Sequence, residues 1–335
     1  MPTQPVPRRP CPARPVRRGV HRVGICCQIL ILAVCLAGLA GIARAADPAL
    51  SDYFSRNWQT DEGLPDNAVS AVLQTRDGFL WFATYGGLAR FDGVRFTVFN
   101  TANTPELQSD RVTSLFEDKQ GTLWIGHERG DLTCYRDGKF VAQEGRETGG
   151  RRKVSAIGED DNGDVWMLNE EGTLIRVRDG LTRSMANNDG VVMMAQNDAG
   201  KLWIASDGRL GRLEHGRLQF PTVTNSSGVD TPLAYVQGIC ASRDGGVWLI
   251  SDGRVRELKG GHWTEDRGTN PCNATVSAMM ETSSGILAMG TVDSGLYLLF
   301  PDRSVLHFNH GHGLPHDWVR CLSEDSEGTL WMGVG

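Results

Sequence analysis

The chain has 335 residues, with 34 basic and 40 acidic side chains, a formal charge of −6 and a hydrophobic content of 40%. This balance excludes a disordered chain, a collagen-like repeat and a polytopic membrane protein. The mild acidity argues against a nucleic-acid binder, which needs a basic face.

Two residue types are in excess, with 41 Gly, and 9 Trp against only 5 Tyr. In chain order, the first object is a leader. Seven arginines (Arg8, Arg9, Arg14, Arg17, Arg18, Arg22 and Arg44) and no acidic residue precede Asp47, and residues 23–43 carry no charge. Ala43-Arg44-Ala45 then places small residues where a signal peptidase requires them. The order basic, apolar, A-x-A predicts a cleaved secretory signal over residues 1–45. An uncleaved anchor is the alternative, because the uncharged run is long enough to span a bilayer. Cleavage removes seven positive charges and no negative one from a total of −6, leaving −13 on residues 46–335. The expected location is periplasmic or exported. Cys134, Cys240, Cys272 and Cys321 remain without a C-x-x-C spacing. They read as scattered buried thiols, with a disulfide left open by the oxidising compartment.

A repeat fills the rest. The stretch Val69-Ser-Ala-Val…Asp77-Gly78-Phe-Leu-Trp81-Phe-Ala-Thr…Gly87-Leu-Ala-Arg90-Phe-Asp92-Gly93 recurs with markers at Trp81, Trp124, Trp166, Trp203, Trp248, Ala288 and Trp331. The steps average about 42 residues, and seven copies at a fixed period signify a repeat architecture. Within a copy, short β-branched and aromatic runs alternate with Asp-Gly or Asn-Gly, a pair suited to tight hairpins. Four strands in such a unit make one blade of a β-propeller. The expectation is therefore an all-β, seven-bladed propeller of four-stranded antiparallel blades. Turn glycines explain the Gly excess, and one Trp wedged between blades explains the Trp excess. The chain ends at Gly335, after the second strand of the seventh copy. An incomplete last blade is thus expected, with residues 53–58 supplying an outer strand that closes the ring.

The string Gly63-Leu-Pro-Asp-Asn-Ala-Val-Ser-Ala-Val…Asp77-Gly-Phe-Leu-Trp-Phe-Ala-Thr, echoed at Gly313-Leu-Pro-His-Asp-Trp-Val, resembles the two-component regulator propeller repeat. The resemblance implies the periplasmic sensor portion of a hybrid histidine kinase or diguanylate cyclase. Its partners would be a small polar solute, an oligosaccharide among the candidates, and a membrane-bound kinase or cyclase module. A homodimer stays open, and no nucleic acid is expected. No kinase or cyclase motif is present, so the resemblance implies a non-enzymatic chain without a cofactor, lacking its output module.

Function is expected at the loops leading into each first strand and joining the second strand to the third. The second-to-third loops carry Tyr85, His127, Glu128, Arg129, Asn169, Glu170, Asp207, Asp252 and Asp293. The lead-in loops carry Asp66, Asn67, Asp110, Arg111, His316 and Asp317. Acids, Arg and a few aromatics suit a sugar or other polar solute, while turn formation is the plainer reading of each. His310, His312 and His316 lack a closed tetrahedral spacing, so no metal is expected. Arg90 and Arg176 read as partners for an acid or a loop. Two alternatives to a sensor remain: a stand-alone interaction scaffold, and a propeller lyase or hydrolase using His127 with Glu128 or Glu170.

Overall fold

In the computed structural model, the described residues are 22–26, 53–143, 152–178, 182–184, 193–196, 201–206, 209–220, 222–224, 230–232 and 235–335. Six sheets of four strands follow one another in sequence order, and a seventh sheet draws on both ends of the chain. Each repeat copy begins with an inner strand: Val69–Gln74, Val112–Glu117, Val154–Glu159, Met193–Gln196, Val236–Ala241, Val276–Glu281 and Val319–Glu324. These seven strands touch neighbour to neighbour around a complete circle, the last against the first. The marker tryptophans sit on the second strands and fill the gaps between blades as expected. Trp81 packs with Val112, Leu123 and Ile125 of the next blade. Trp166 does so with Leu202 and Ile204, and Trp248 with Val276, Leu287 and Met289.

The indole is also hydrogen-bonded, which the wedge reading omitted. Trp124, Trp166 and Trp331 donate Nε1–H to Asp118, Asp160 and Asp325 at 2.8–2.9 Å. In each case the aspartate lies six residues earlier, in the turn between the first and second strands. Its other oxygen accepts turn amides, as Asp160 does from Asn162 and Asp164. One carboxylate therefore ties the turn to the wedge.

Blades are joined at the same end of the inner strands by a second device. Glu117 accepts from the Arg76 amide, Glu159 from Lys119, Glu281 from Arg243 and Glu324 from Ser283, each in the preceding blade. Gln74 accepts from the Ser326 amide at 2.6 Å, which carries this ladder across the seam between blade 7 and blade 1.

The hairpins differ from expectation. At the Asp77-Gly78 turn only Gly78 has positive φ, and Gly78 N–H closes on Thr75 O. The Asp-Gly pair there ends a longer turn organised by the side chain at its start. Two-residue turns with both residues at positive φ occur instead at Asp137-Gly138, His215-Gly216, Asp252-Gly253 and Gly260-Gly261, where this geometry matches the strand twist.

The seventh sheet is where the sequence expectation is most altered. Its repeat copy supplies two antiparallel strands, Val319–Glu324 and Leu330–Val334. In the full chain the third position, expected to be missing, is taken by Arg22–Cys26, a segment within the expected leader, running parallel to Leu330–Val334, and cleavage after Ala45 would remove it. Phe54–Arg56 occupies the outermost position, as expected for the closing strand. The rest of the leader lies outside the described residues. A further hairpin, Thr222–Thr224 with Asp230–Pro232, lies in the lead-in to blade 5, the longest step of the repeat. Cys134, Cys240, Cys272 and Cys321 are all free thiols. Burial pushes the Cys134 and Cys272 thiols up to about 12, so both stay protonated and unreactive at neutral pH.

Candidate functional site at the mouth of the propeller

In six of the seven blades the inner strand pairs its first residue with the last residue of the second strand, for example Val69 with Thr84. The lead-in loops and the second-to-third loops therefore meet at one end of the barrel, the mouth. Several of the residues expected there hold the loops together, which is the plainer of the two readings of their types. Thr84, His127, Asn169, Ser251 and Thr291 occupy the same position at the end of the second strand, and all are buried. Asn169 accepts from the Glu171 and Thr173 amides, and Thr291 donates to Gly295 O. His127, the candidate acid–base group, is enclosed with Nε2 3.0 Å from the Thr133 hydroxyl. Burial lowers its pKa to about 4, partly opposed by backbone hydrogen bonds near Ser109 and Arg111.

The polar residues of the lead-in loops behave likewise. Asn67 accepts from the Thr60 amide, Asp317 from His310 and Asp110 from Thr101. Asn67 and Asp317 span the same seven residues, so the two Gly-Leu-Pro lead-ins are one structure used twice. Asp66 accepts from the Ala68 amide. Arg129, Glu170, Asp252, Asp293 and His316 are exposed, and Asp207 lies outside the described residues. His310 Nδ1 lies 3.1 Å from Leu314 O. Arg176 pairs with Asp164 at 3.1 Å, and Arg90 lies over the Phe79 and Trp81 rings.

Of the expected residues, Tyr85, Arg111 and Glu128 do come together. Arg111 lies over Tyr85 at 5.3 Å from the ring centroid and pairs with Glu128 at 3.0 Å. The second guanidinium at Tyr85 was not anticipated. Arg320 lies 5.7 Å from the same ring and 3.7 Å from that of Trp318.

A repeated backbone feature places Arg320. Six of the seven inner strands shift register at their second residue, which is left out of the ladder: Ser70, Thr113, Ser155, Gln237, Ser277 and Arg320. Such bulges re-aim a side chain. In blades 1, 2 and 6 the bulged hydroxyl reaches the next blade, Ser70 donating to Val112 O, Thr113 to Val154 O and Ser277 to Val319 O. Blades 5 and 7 depart from this together. Each has a long polar side chain at the bulge and an aromatic two residues earlier, in Tyr235-Val236-Gln237 and Trp318-Val319-Arg320. Tyr235 is 77% exposed and Trp318 38%. Tyr235 also has φ of 54°, a left-handed conformation that costs a bulky residue energy and that proteins concentrate at functional positions. The pattern is visible in the repeat alignment once the bulge position is known.

Sequence comparison finds two-component regulator propeller repeats at residues 63–86, 106–129 and 313–335. The chain carries two-component regulator propeller repeats. The three matches cover the lead-in, the inner strand and the second strand of blades 1, 2 and 7, the part of each unit that builds the mouth. No curated protein sequence matches this chain significantly. Among solved structures, a streptogramin B lyase is similar at 17% identity over 81% of this chain and 92% of its own, with a TM-score of 0.61. PorZ, a surface component of the type-IX secretion system of Porphyromonas gingivalis, matches at 18% identity over 82% of this chain and 46% of its own, with a TM-score of 0.57. The extracellular domain of a hybrid two-component system of B. thetaiotaomicron matches at 21% identity over 82% of this chain and 38% of its own, with a TM-score of 0.42. The first two likenesses establish the propeller fold.

Proposed function

We propose that this propeller is the ligand-receiving part of an exported two-component-type sensor and takes a small polar solute at its mouth. The output step, phosphoryl transfer or cyclisation, belongs to a separate kinase or cyclase module. The observation that carries this reading is the pair of aromatic-Val-long-polar units at the bulges of blades 5 and 7. The bulges of blades 1, 2 and 6 serve inter-blade bonding, whereas these two place an exposed ring beside a hydrogen-bonding chain. Flat apolar surface with a few convergent polar groups is the usual make-up of a site for a ring-shaped polar molecule. Binding rather than turnover is favoured by the state of His127. It is enclosed and neutral at physiological pH, so it cannot reach a substrate as a general base.

The test is a thermal-shift screen of the exported protein against neutral and charged oligosaccharides. A ligand at a hundred times its dissociation constant stabilises by about 2.7 kcal/mol, a shift of several degrees for a chain of this size. The shift is expected to disappear in Tyr235→Ala and Trp318→Ala and to persist in Val94→Ala, which lies on a hairpin at the opposite end. A shift that survives both mouth substitutions would place the ligand elsewhere. A partner protein captured at the mouth with no solute response would favour the scaffold.

A further inference from the structure

Building on that reading, we infer that Arg320 makes the mouth selective for a solute carrying a carboxylate on a ring. Two guanidinium groups flank Tyr85, and their states differ. Arg111 is neutralised by Glu128, with both carboxylate oxygens within 3.1 Å. Arg320 has no carboxylate within ion-pair distance among the described residues. It is half-buried, and its Nε is enclosed without a hydrogen-bond partner. The nearest acid in sequence, Asp317, is engaged with the His310 amide at 2.6 Å. A partly desolvated cation without a counter-charge is an unfavourable arrangement unless an anion completes it.

The geometry fits one class of anion. Trp318 lies against the guanidinium at 3.7 Å from its ring centroid, a distance at which the planar group stacks on the indole. Stacking leaves the in-plane N–H groups of the two Nη atoms, as distinct from the enclosed Nε, for the two parallel bonds that a carboxylate accepts. Trp318 and Tyr85 offer ring surfaces beside that fork, so a carboxylate held on a ring would meet both at once. Uronic acids and aromatic carboxylic acids share this chemistry.

The repeat also explains why Arg320 is not there for the fold. Its position belongs to a hydroxyl in blades 1, 2 and 6, where Ser70, Thr113 and Ser277 bond the next blade. The carbonyl that a hydroxyl at 320 would reach is Val69 O, contacted instead by Cys321 Sγ at 3.8 Å. Arg320→Ser therefore restores the pattern of the repeat while removing the charge.

Calorimetric titration of the exported protein with digalacturonate, with the neutral disaccharide of galactose and with benzoate tests the inference. The acids are expected to bind at least ~10-fold more tightly than the neutral sugar, as one charge-assisted bidentate contact provides, and less tightly as salt rises. Digalacturonate binding without benzoate binding identifies the sugar acid as the source, and the converse identifies the aromatic acid. Arg320→Ser should abolish the acid preference with Tm unchanged or raised. Arg320→Lys should retain part of that preference. Equal binding of acid and neutral sugar would overturn the inference and leave the sensor reading standing. Binding of none of the three while other neutral sugars shift Tm would do the same. A screen in which nothing binds would overturn both. A preference unchanged in Arg320→Ser would assign the selectivity to another cation.

Discussion

His127 illustrates how a single residue type can mislead when read without its neighbours. A His at the end of a strand, next to Glu128 and Arg129, has the look of an acid–base group. Its position in the blade is shared with Thr84, Asn169, Ser251 and Thr291, all buried polar residues that shape the same loop. The consequence is a pH effect on stability with a defined sign. Burial holds the folded pKa at about 4 against 6.5 for an exposed His. Between those values the unfolded chain takes up a proton that the folded chain refuses. Stability from this residue is therefore complete above pH 6.5, falls as the pH drops towards 4, and is flat below. The full loss is about 3 kcal/mol at most. His127→Asn, the residue used by blade 3, is expected to fold and to flatten chemical-denaturation stability over that range. An unchanged acid dependence would show that other groups carry it.

At the scale of the blade, the Trp and the turn Asp act as one unit. Asp160 is fully buried and holds Trp166 Nε1, Asn162 N and Asp164 N at 2.9 Å each. Asp160→Ala leaves three donors without their acceptor and is expected to cost about 3 kcal/mol. Trp166→Ala opens a cavity against Leu202 and Ile204 and is expected to cost 3–5 kcal/mol, in the manner of other large core truncations, or about a quarter to a half of a typical domain's stability. Because the two residues share a bond, the double substitution should cost less than the sum, which denaturant titration of the four proteins would measure. The Trp was legible in the sequence because its period is regular. Its partner was not, since an Asp beginning a turn satisfies turn chemistry alone. Blade 5 has Ser242 at the Asp position. There Trp248 Nε1 is enclosed without an acceptor, and Arg267 lies 4.6 Å over the ring.

For the whole molecule, the seam between blades 7 and 1 decides whether seven units make a ring. It is held by the Gln74 bond to the Ser326 amide, by Phe82 and Phe91 against Trp331, and by Trp58 against Phe91 and Phe96. Trp58 precedes the first repeat and is buried, so it fastens the N-terminal strand to the seam. Trp58→Ala is expected to raise amide exchange in blades 7 and 1 while blades 3 and 4 keep their protection, as a local opening does. Uniform exchange throughout would mean that the ring opens only by global unfolding.

The number of units, their strand content and the tryptophan wedges follow from the sequence alone. A single blade cannot bury its two faces, so each copy must repeat the same apolar pattern to cover its neighbour. The lead-in residues were found in the sequence, but a residue that forms a loop and one that meets a ligand have the same composition, so the sequence did not separate the two roles. Tertiary structure decided the rest. Tyr85, Arg111, Tyr235, Trp318 and Arg320 are drawn from four blades and share a surface only because the inner strands close a circle. Arg320 stands out only once the bulge that aims it is aligned with the hydroxyls of the other blades. Likewise, the two strands completing the seventh sheet come from segments far from it in sequence, and strand pairing across such distances leaves no local periodic signal.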